Sequence, residues 1–280
     1  ISHRAVIFSS MADGKSVIKN LSNGKDVIST INCFRNLGIE IEKNKNELIV
    51  NGKRLKGFSM PETDLDCGNS GTTARLLTGL LSAQNFESTL TGDESLSKRP
   101  MDRVIHPLKQ MGAKIESNKN FLPLKIFPSK LNEINYEMPL ASAQVKSSII
   151  LAALHCDGIT SIVEKVPTRN HTEKMLGLEI KNSKAGNTIL VSSKNYPVPA
   201  EYFIPSDVST AAFFVVLSVL TKDSSLRIKN ISLNKTRNGY LEILKQMGAK
   251  INYENISVSS GEIYGDIITE SSELKNVEIP

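Results

Sequence analysis

The chain has 280 residues, 40% hydrophobic and 22% charged, with 34 Lys and Arg against 29 Asp and Glu for a net charge of +5. That balance belongs to a globular protein long enough for two domains, and it excludes disordered and fibrous classes. No apolar run reaches the roughly 18 residues of a membrane span, and aromatics at 5%, with no Lys/Arg cluster among stacking residues, argue against nucleic acid.

The first predicted element begins at Ser2, where "SHRAVIFSSM" is apolar almost all round and reads as a buried helix. "CFRNLGIEIE" (33–42) reads as a second helix ending at Gly38 and passing into a strand. "LDCGNSGTTARLL" (65–77) packs small polar residues into a loop and then turns helical. Such a helix start carries unpaired N–H groups and a partial positive charge, and so can serve as a plain cap or as an anion site. "STLTG" follows as a strand, and "SKRPMDR", with Arg99 and Pro100, opens a helix that closes at "LKQMGAKIES" (108–117). The order then recurs through "SAQVKSSIILAAL", "ITSIVEKV", "PTRNHTE" and "KMLGLEIKNS" (174–183). It recurs again through "SDVSTAAFFVVLSVL", "SLRIKNI", Arg237 and "LKQMGAKINY" (244–253).

These phrases share a period. The glycine after the second helix falls at 38, 112, 177 and 248, spacings of 74, 65 and 71, and the first helices open at Ser2, Ser70, Ser142 and Ser206. Stacked copies of one supersecondary unit are expected, each a capped buried helix, a strand, a second helix ending at Gly and one or two strands, with sheets outside the helices. The expected boundary lies in "VPAEYFIPSD", giving one domain over 1–203 and a second, a single repeat, over 204–280.

Chemistry is expected where polar residues differ between copies. The helix starts supply Ser2, His3 and Arg4, then Asn69, Ser70, Gly71 and Thr72 with Arg75 one turn on, then Ser142, Gln144 and Lys146. Arg99 and Arg169 add planar forks suited to phosphate or carboxylate oxygens. Ser142 is equally a plain N-cap, Arg75 and Lys146 are equally solvated or capping, "NHTE" at His171 reads as a capping box, and Asp207 reads as the cap of its helix. Cys33, Cys67 and Cys156 are far apart, without CxxC or metal-ligand spacing, and the four His form no HxxxH pair. They read as reduced thiols of a cytoplasmic protein that holds no metal. No Ser–His–Asp arrangement or GxxxxGK[ST] loop is legible. A basic cradle for a small anion remains.

"SHR", "DCGNSGTTARLLTG", "LSKRPMDRVIHPL", "ASAQVKSSIILAAL" and "TRNHTEKML" stand in the order and spacing of the EPSP synthase family, and the chain resembles that family over essentially its whole length. The resemblance implies an α/β fold in which repeated βαβαββ units form an inside-out α/β barrel with buried helices, in a two-domain enzyme of six repeats. It implies transfer of the enolpyruvyl group of phosphoenolpyruvate to the 5-hydroxyl of shikimate 3-phosphate by addition and elimination, in aromatic amino acid biosynthesis, without metal or organic cofactor. Arg4, Ser142, Ala143, Gln144 and Arg169 match positions that hold the phosphorylated shikimate. Asn69, Gly71, Thr72, Arg99 and again Gln144 match positions that hold phosphoenolpyruvate. Arg75 and Lys146 have a weaker claim. The family's proton-handling Asp would lie beyond Pro280, so no catalytic acid or base is expected within the chain, which begins at Ile and stops in mid-pattern at "ELKNVEIP" and reads as an internal piece, inactive by itself. A cytoplasmic monomer at full length is expected, with no nucleic acid or membrane partner. The related UDP-N-acetylglucosamine enolpyruvyl transferases carry a reactive Cys before the "RP" arginine, where this chain has "GDESLSKRP". A non-catalytic anion-binding or RNA-end-binding repeat is the alternative of another class.

Overall fold

The structure is a computed structural model and describes residues 1–184 and 186–278. The first repeat comprises helix α1 (Ser2–Met11), strand β1 (Asp13–Lys19), helix α2 (Lys25–Asn36), and strands β2 (Glu40–Asn44) and β3 (Glu47–Lys53). The second comprises β4 (Leu65–Asp66), α3 (Gly71–Leu81), β5 (Ser88–Thr91), the short helix α4 (Glu94–Ser97), α5 (Asp102–Gln110), β6 (Lys114–Asn118) and β7 (Phe121–Phe127). The third comprises β8 (Asn135–Glu137), α6 (Ala143–Ala153), β9 (Thr160–Glu164), α7 (His171–Leu176), β10 (Glu179–Ser183) and β11 (Gly186–Val191). After β12 (Glu201–Phe203) the fourth runs through α8 (Val208–Leu220), β13 (Ser225–Ser232), α9 (Gly239–Gln246), β14 (Lys250–Ser259) and β15 (Glu262–Glu270).

Each repeat makes its own sheet with one strand order. The second has β4-β5-β7-β6 and the third β8-β9-β11-β10, with the first pair parallel and the others antiparallel. The first sheet has the order β12-β1-β3-β2, so its outer strand comes from a segment far along the chain. In the fourth, Ser206 bridges Ile231 in parallel and stands where a first strand would be, beside β13-β15-β14. The four phased glycines all have positive φ, from +60° at Gly177 to +101° at Gly248. This is the left-handed turn that ends a helix and sends the chain back as a strand.

The chain divides into two compact units, one of Ile1–Thr168 and Leu176–Tyr202, the other of Arg169–Met175 and the residues from Phe203 onward. In the first unit the helices that open the repeats form the core. Nine of ten residues of α1 and ten of eleven of α6 are buried. Neither helix needs a polar face, because sheets and sister helices surround it. Helices α3 and α6 pack so closely that a Cβ on Gly79 would stand 2.1 Å from the carbonyl oxygen of Ser148. In the second unit α8 lays Val208, Ala211, Val215 and Val219 on its sheet, but Phe213, Phe214, Leu217 and Leu220 are exposed. The first helix of the fourth repeat is therefore buried on one face only, since among the described residues this unit contains no second repeat-opening helix to cover the other.

The segment 169–175 lies with the second unit although its sequence neighbours belong to the first. Buried contacts explain this: His171 Nδ1 lies 2.7 Å from Glu262 Oε1, and Asn234 Nδ2 donates to Glu262 Oε2 (3.1 Å) and to Asn170 Oδ1 (3.0 Å). The expected second-helix starts also move. Arg99 follows α4, and Arg99 and Arg169 precede α5 and α7, which begin at Asp102 and His171. Pro100, expected within the first turn, lies before the helix, whose flanking residue is Met101.

Candidate anion-binding site

Ser70 caps α3, its hydroxyl accepting from the Thr73 N–H at 3.1 Å, while the Gly71 N–H bonds the Asn69 carbonyl at 3.1 Å. The loop thus closes part of its own donor set, and much of the positive charge around it comes from side chains. The Asn69 amide donates to Asp93 Oδ2 (2.7 Å), and its oxygen accepts from Arg99 (2.7 Å). Asp93 also accepts from the Leu96 N–H, and that bond together with Asn69 holds its carboxyl below the usual range. Arg99 is thereby held across the mouth of the loop.

Arg75, one turn into α3, reaches across to α6. Its guanidinium donates to Gln144 Oε1 at 3.0 Å, and Gln144 Nε2 donates to Thr72 Oγ1 at 2.9 Å. Gly71 leaves room for this, since a Cβ there would lie 2.7 Å from one Arg75 nitrogen and 3.6 Å from one of Arg99. Burial lowers the pKa of Arg75, and the like charges of Arg99 and Arg103 lower it further against the opposing Asp102. A guanidinium whose charge its arginine neighbours disfavour makes a place that an anion would stabilise.

The third helix start joins the same unit. Ser142 caps α6 through the Val145 N–H (3.4 Å), and Ala143 is buried in its first turn. Arg4, 8% exposed, donates from α1 to Ser147 Oγ at 2.8 Å, and Ser147 in turn donates to the Ala143 carbonyl. Asn69, Gly71, Thr72, Arg99 and Gln144 are therefore brought together, and Arg4, Ser142 and Ala143 share the start of α6. Arg169 belongs to the second unit, where burial and then Arg237 lower its pKa against Asp207. Asp207 caps α8 through the Ser209 N–H. Lys146 is enclosed in the core with its Nζ 2.7 Å from Glu164 Oε2, so it braces α6 against β9.

A sequence comparison settles the relationship. The family model for EPSP synthase (3-phosphoshikimate 1-carboxyvinyltransferase) matches residues 1–279. The chain belongs to the EPSP synthase family. A 3-phosphoshikimate 1-carboxyvinyltransferase of Bacillus pumilus is 44% identical over 282 residues, and one of Syntrophomonas wolfei is 46% identical over 291, each alignment covering all of this chain and 66% of the relative. An EPSP synthase structure from Acinetobacter baumannii superposes with a TM-score of 0.92 at 41% identity, covering 100% of this chain and 64% of that one. The chain thus spans just under two thirds of the length of the curated relatives it matches. The α/β fold of repeated units with central helices is that of these EPSP synthase structures.

Arg75, whose claim from sequence is the weaker, lies beside Gly71 and bonds Gln144 in the structure. Its position one turn after the Gly71–Thr72 pair was the available signal. A solvated arginine has the same spacing, and only the approach of α6 separates the two. Among the described residues no group of three or more His, Cys, Asp or Glu is arranged to hold a metal ion, and no helix is long and apolar enough to cross a membrane.

Proposed function

We propose that this chain carries the substrate-binding groups of a 3-phosphoshikimate 1-carboxyvinyltransferase, which moves the enolpyruvyl group of phosphoenolpyruvate to the 5-hydroxyl of shikimate 3-phosphate. The observation that carries the reading is the convergence of Arg75 and Arg99 on the Gly71–Thr72 helix start, in a chain whose full-length relatives bear that name.

Arg99, steadied by Asn69, and Arg75, steadied by Gln144, neutralise the phosphate and carboxylate of phosphoenolpyruvate at the start of α3. Gln144 stands between the α3 and α6 starts and so touches both substrates. Ser142, Ala143 and Arg4 hold the phosphorylated shikimate at the start of α6, and Arg169, in the other unit, is assigned to phosphate by its family position alone. The 5-hydroxyl gives up its proton as it adds to the central carbon of phosphoenolpyruvate, while the methylene takes one. The tetrahedral intermediate then loses phosphate together with a proton of the new methyl group, which restores the double bond. Preorganised cations lower this barrier by holding two polyanions in reacting contact and by stabilising the departing phosphate. The proton-transfer groups are assigned to the part of the relatives' length that this chain does not span. The reading includes a cytoplasmic monomer that needs no metal or organic cofactor, with domains at 1–203 and 204–280.

The test is phosphate release by the full-length protein given phosphoenolpyruvate with shikimate 3-phosphate. Release that requires both substrates is expected. Release with UDP-N-acetylglucosamine in place of the shikimate ester, or none with either acceptor, overturns the reading.

A further inference from the structure

A line of buried side-chain contacts runs from α1 through α2 to the start of α3. His3 Nδ1 lies 2.7 Å from Thr30 Oγ1, Thr30 Oγ1 lies 2.7 Å from Thr73 Oγ1, and Thr73 Oγ1 lies 2.7 Å from Ser70 Oγ. Thr30, Thr73 and Ser70 are each 0% exposed. Valine would fill the space of either threonine without a polar atom to satisfy, and a buried hydroxyl is costly unless it is bonded. Three buried hydroxyls, bonded in line from Thr30 through Thr73 to Ser70, are therefore more than packing requires. They end on the residue that caps α3.

Proton counting gives the line a direction. A hydroxyl has one proton. Thr73 directs its own at acceptors on the α3 side and at the helix carbonyl beside it, Ser70 Oγ at 2.7 Å and Asp26 O at 3.3 Å. Thr30 has two acceptors for its one proton, Thr73 Oγ1 at 2.7 Å and Asp26 O at 3.4 Å. With Thr73 donating to Ser70 the shorter contact takes it, and the His3–Thr30 contact then uses a proton on His3 Nδ1. Burial, then the charge of the chain's amino terminus and that of Arg4, lower the His3 pKa to about 3, so the imidazole is neutral and carries a single ring proton. Ser70 Oγ accepts from both the hydroxyl and the N–H of Thr73.

We propose that His3, Thr30 and Thr73 are positioning residues, a directed hydrogen-bond chain that fixes the first turn of α3 against α1 and α2 and so holds Gly71, Thr72 and Arg75 ready for the phosphate end of phosphoenolpyruvate. The proposal rests on the function proposed above and adds to it a second layer behind the side chains that touch substrate. Arg4, next to His3, ties the same turn of α1 to Ser147 on α6. The starts of the two substrate-binding helices are thereby referred to one frame.

Two measurements test it. The first is the 15N chemical shifts of the His3 ring in this chain, where the Nδ1–H tautomer is expected and the Nε2–H tautomer overturns the proposal. The second compares Thr30→Val, Thr73→Val and Thr73→Ser in the full-length protein. KM for phosphoenolpyruvate should rise about tenfold in each valine variant, the worth of one well-made hydrogen bond. KM for shikimate 3-phosphate should stay within about twofold, and Thr73→Ser should restore the wild-type value. A merely structural role would raise both KM values together or leave both unchanged, and either result overturns the proposal, as does failure of serine to rescue. A wild-type protein that releases no phosphate would refute the proposed function, while the tautomer would still decide the hydrogen-bond chain.

Discussion

Gly79→Ala is the sharpest test of how the two halves of the anion site are held together. The added Cβ would stand 2.1 Å from the Ser148 carbonyl oxygen and 2.8 Å from its carbonyl carbon, backbone atoms of the facing helix that no rotamer change can move. Ordinary contact requires α3 and α6 to part by about 1 Å. Overpacking of this kind costs about 3 kcal/mol, offset by about 1 kcal/mol because alanine favours a helix over glycine, for a net loss of about 2 kcal/mol. In a protein of this size that lowers Tm by roughly 4–8 °C. The same displacement stretches the Arg75–Gln144 and Gln144–Thr72 bonds, now 3.0 and 2.9 Å, which cross the same pair of helices. Thermal unfolding followed by circular dichroism measures the first effect, with Gly239→Ala as the control, since a Cβ there meets nothing within 4 Å. A Gly79→Ala Tm equal to that of wild type would refute the packing argument.

Arg99→Ala and Gln144→Ala in the full-length protein should each cut kcat/KM by about tenfold to a hundredfold, the worth of a charge-assisted hydrogen bond, with little change in Tm; near-normal turnover in both would overturn the site. Lys146→Met leaves the Glu164 carboxylate, 4% exposed, without its buried cation and should cost about 3–5 kcal/mol, read as a fall in urea midpoint that Glu164→Gln partly reverses. Burial pushes the Glu262 carboxyl up, but the His171 contact and charge and the Asn234 amide together outweigh it and leave its pKa lowered. Its contribution to stability is therefore complete above the ordinary carboxylate range and is lost as pH falls through the depressed value. Glu262→Gln should flatten that part of the stability profile, and a profile identical to wild type would remove the pair from the account. Limited proteolysis should cut beyond residue 200 before it cuts the first unit, and equal protection across the whole chain would count against a domain boundary there.

Local pattern determined much of this protein. The four glycines after second helices, the serine caps of α3 and α6 and the apolar first helices can be read directly, because capping and helix termination depend on neighbours within a turn. Ser2 and Ser206 do not cap, since α1 has no side-chain cap and Asp207 caps α8. The resemblance also matches Asn69, Gly71, Thr72, Arg99 and Gln144 to positions that hold phosphoenolpyruvate in the family. The structure then joined Arg99 to Asn69 and Gln144 to Thr72. Tertiary structure alone decided which of the ambiguous polar residues join them. Arg75 and Gln144 are 69 residues apart in sequence, and His171 and Glu262 are 91 apart. An arginine or histidine at such a spacing serves equally as a solvated side chain, a cap or a ligand. In the first pair the distance between two helix axes makes the choice, and that distance depends on one glycine, Gly79, facing one carbonyl, Ser148. Arg169 shows the same limit from the other side. Its motif is legible, but the buried His171–Glu262 contact assigns its segment to the second unit, and a pairing across so many residues leaves no periodic trace in the chain.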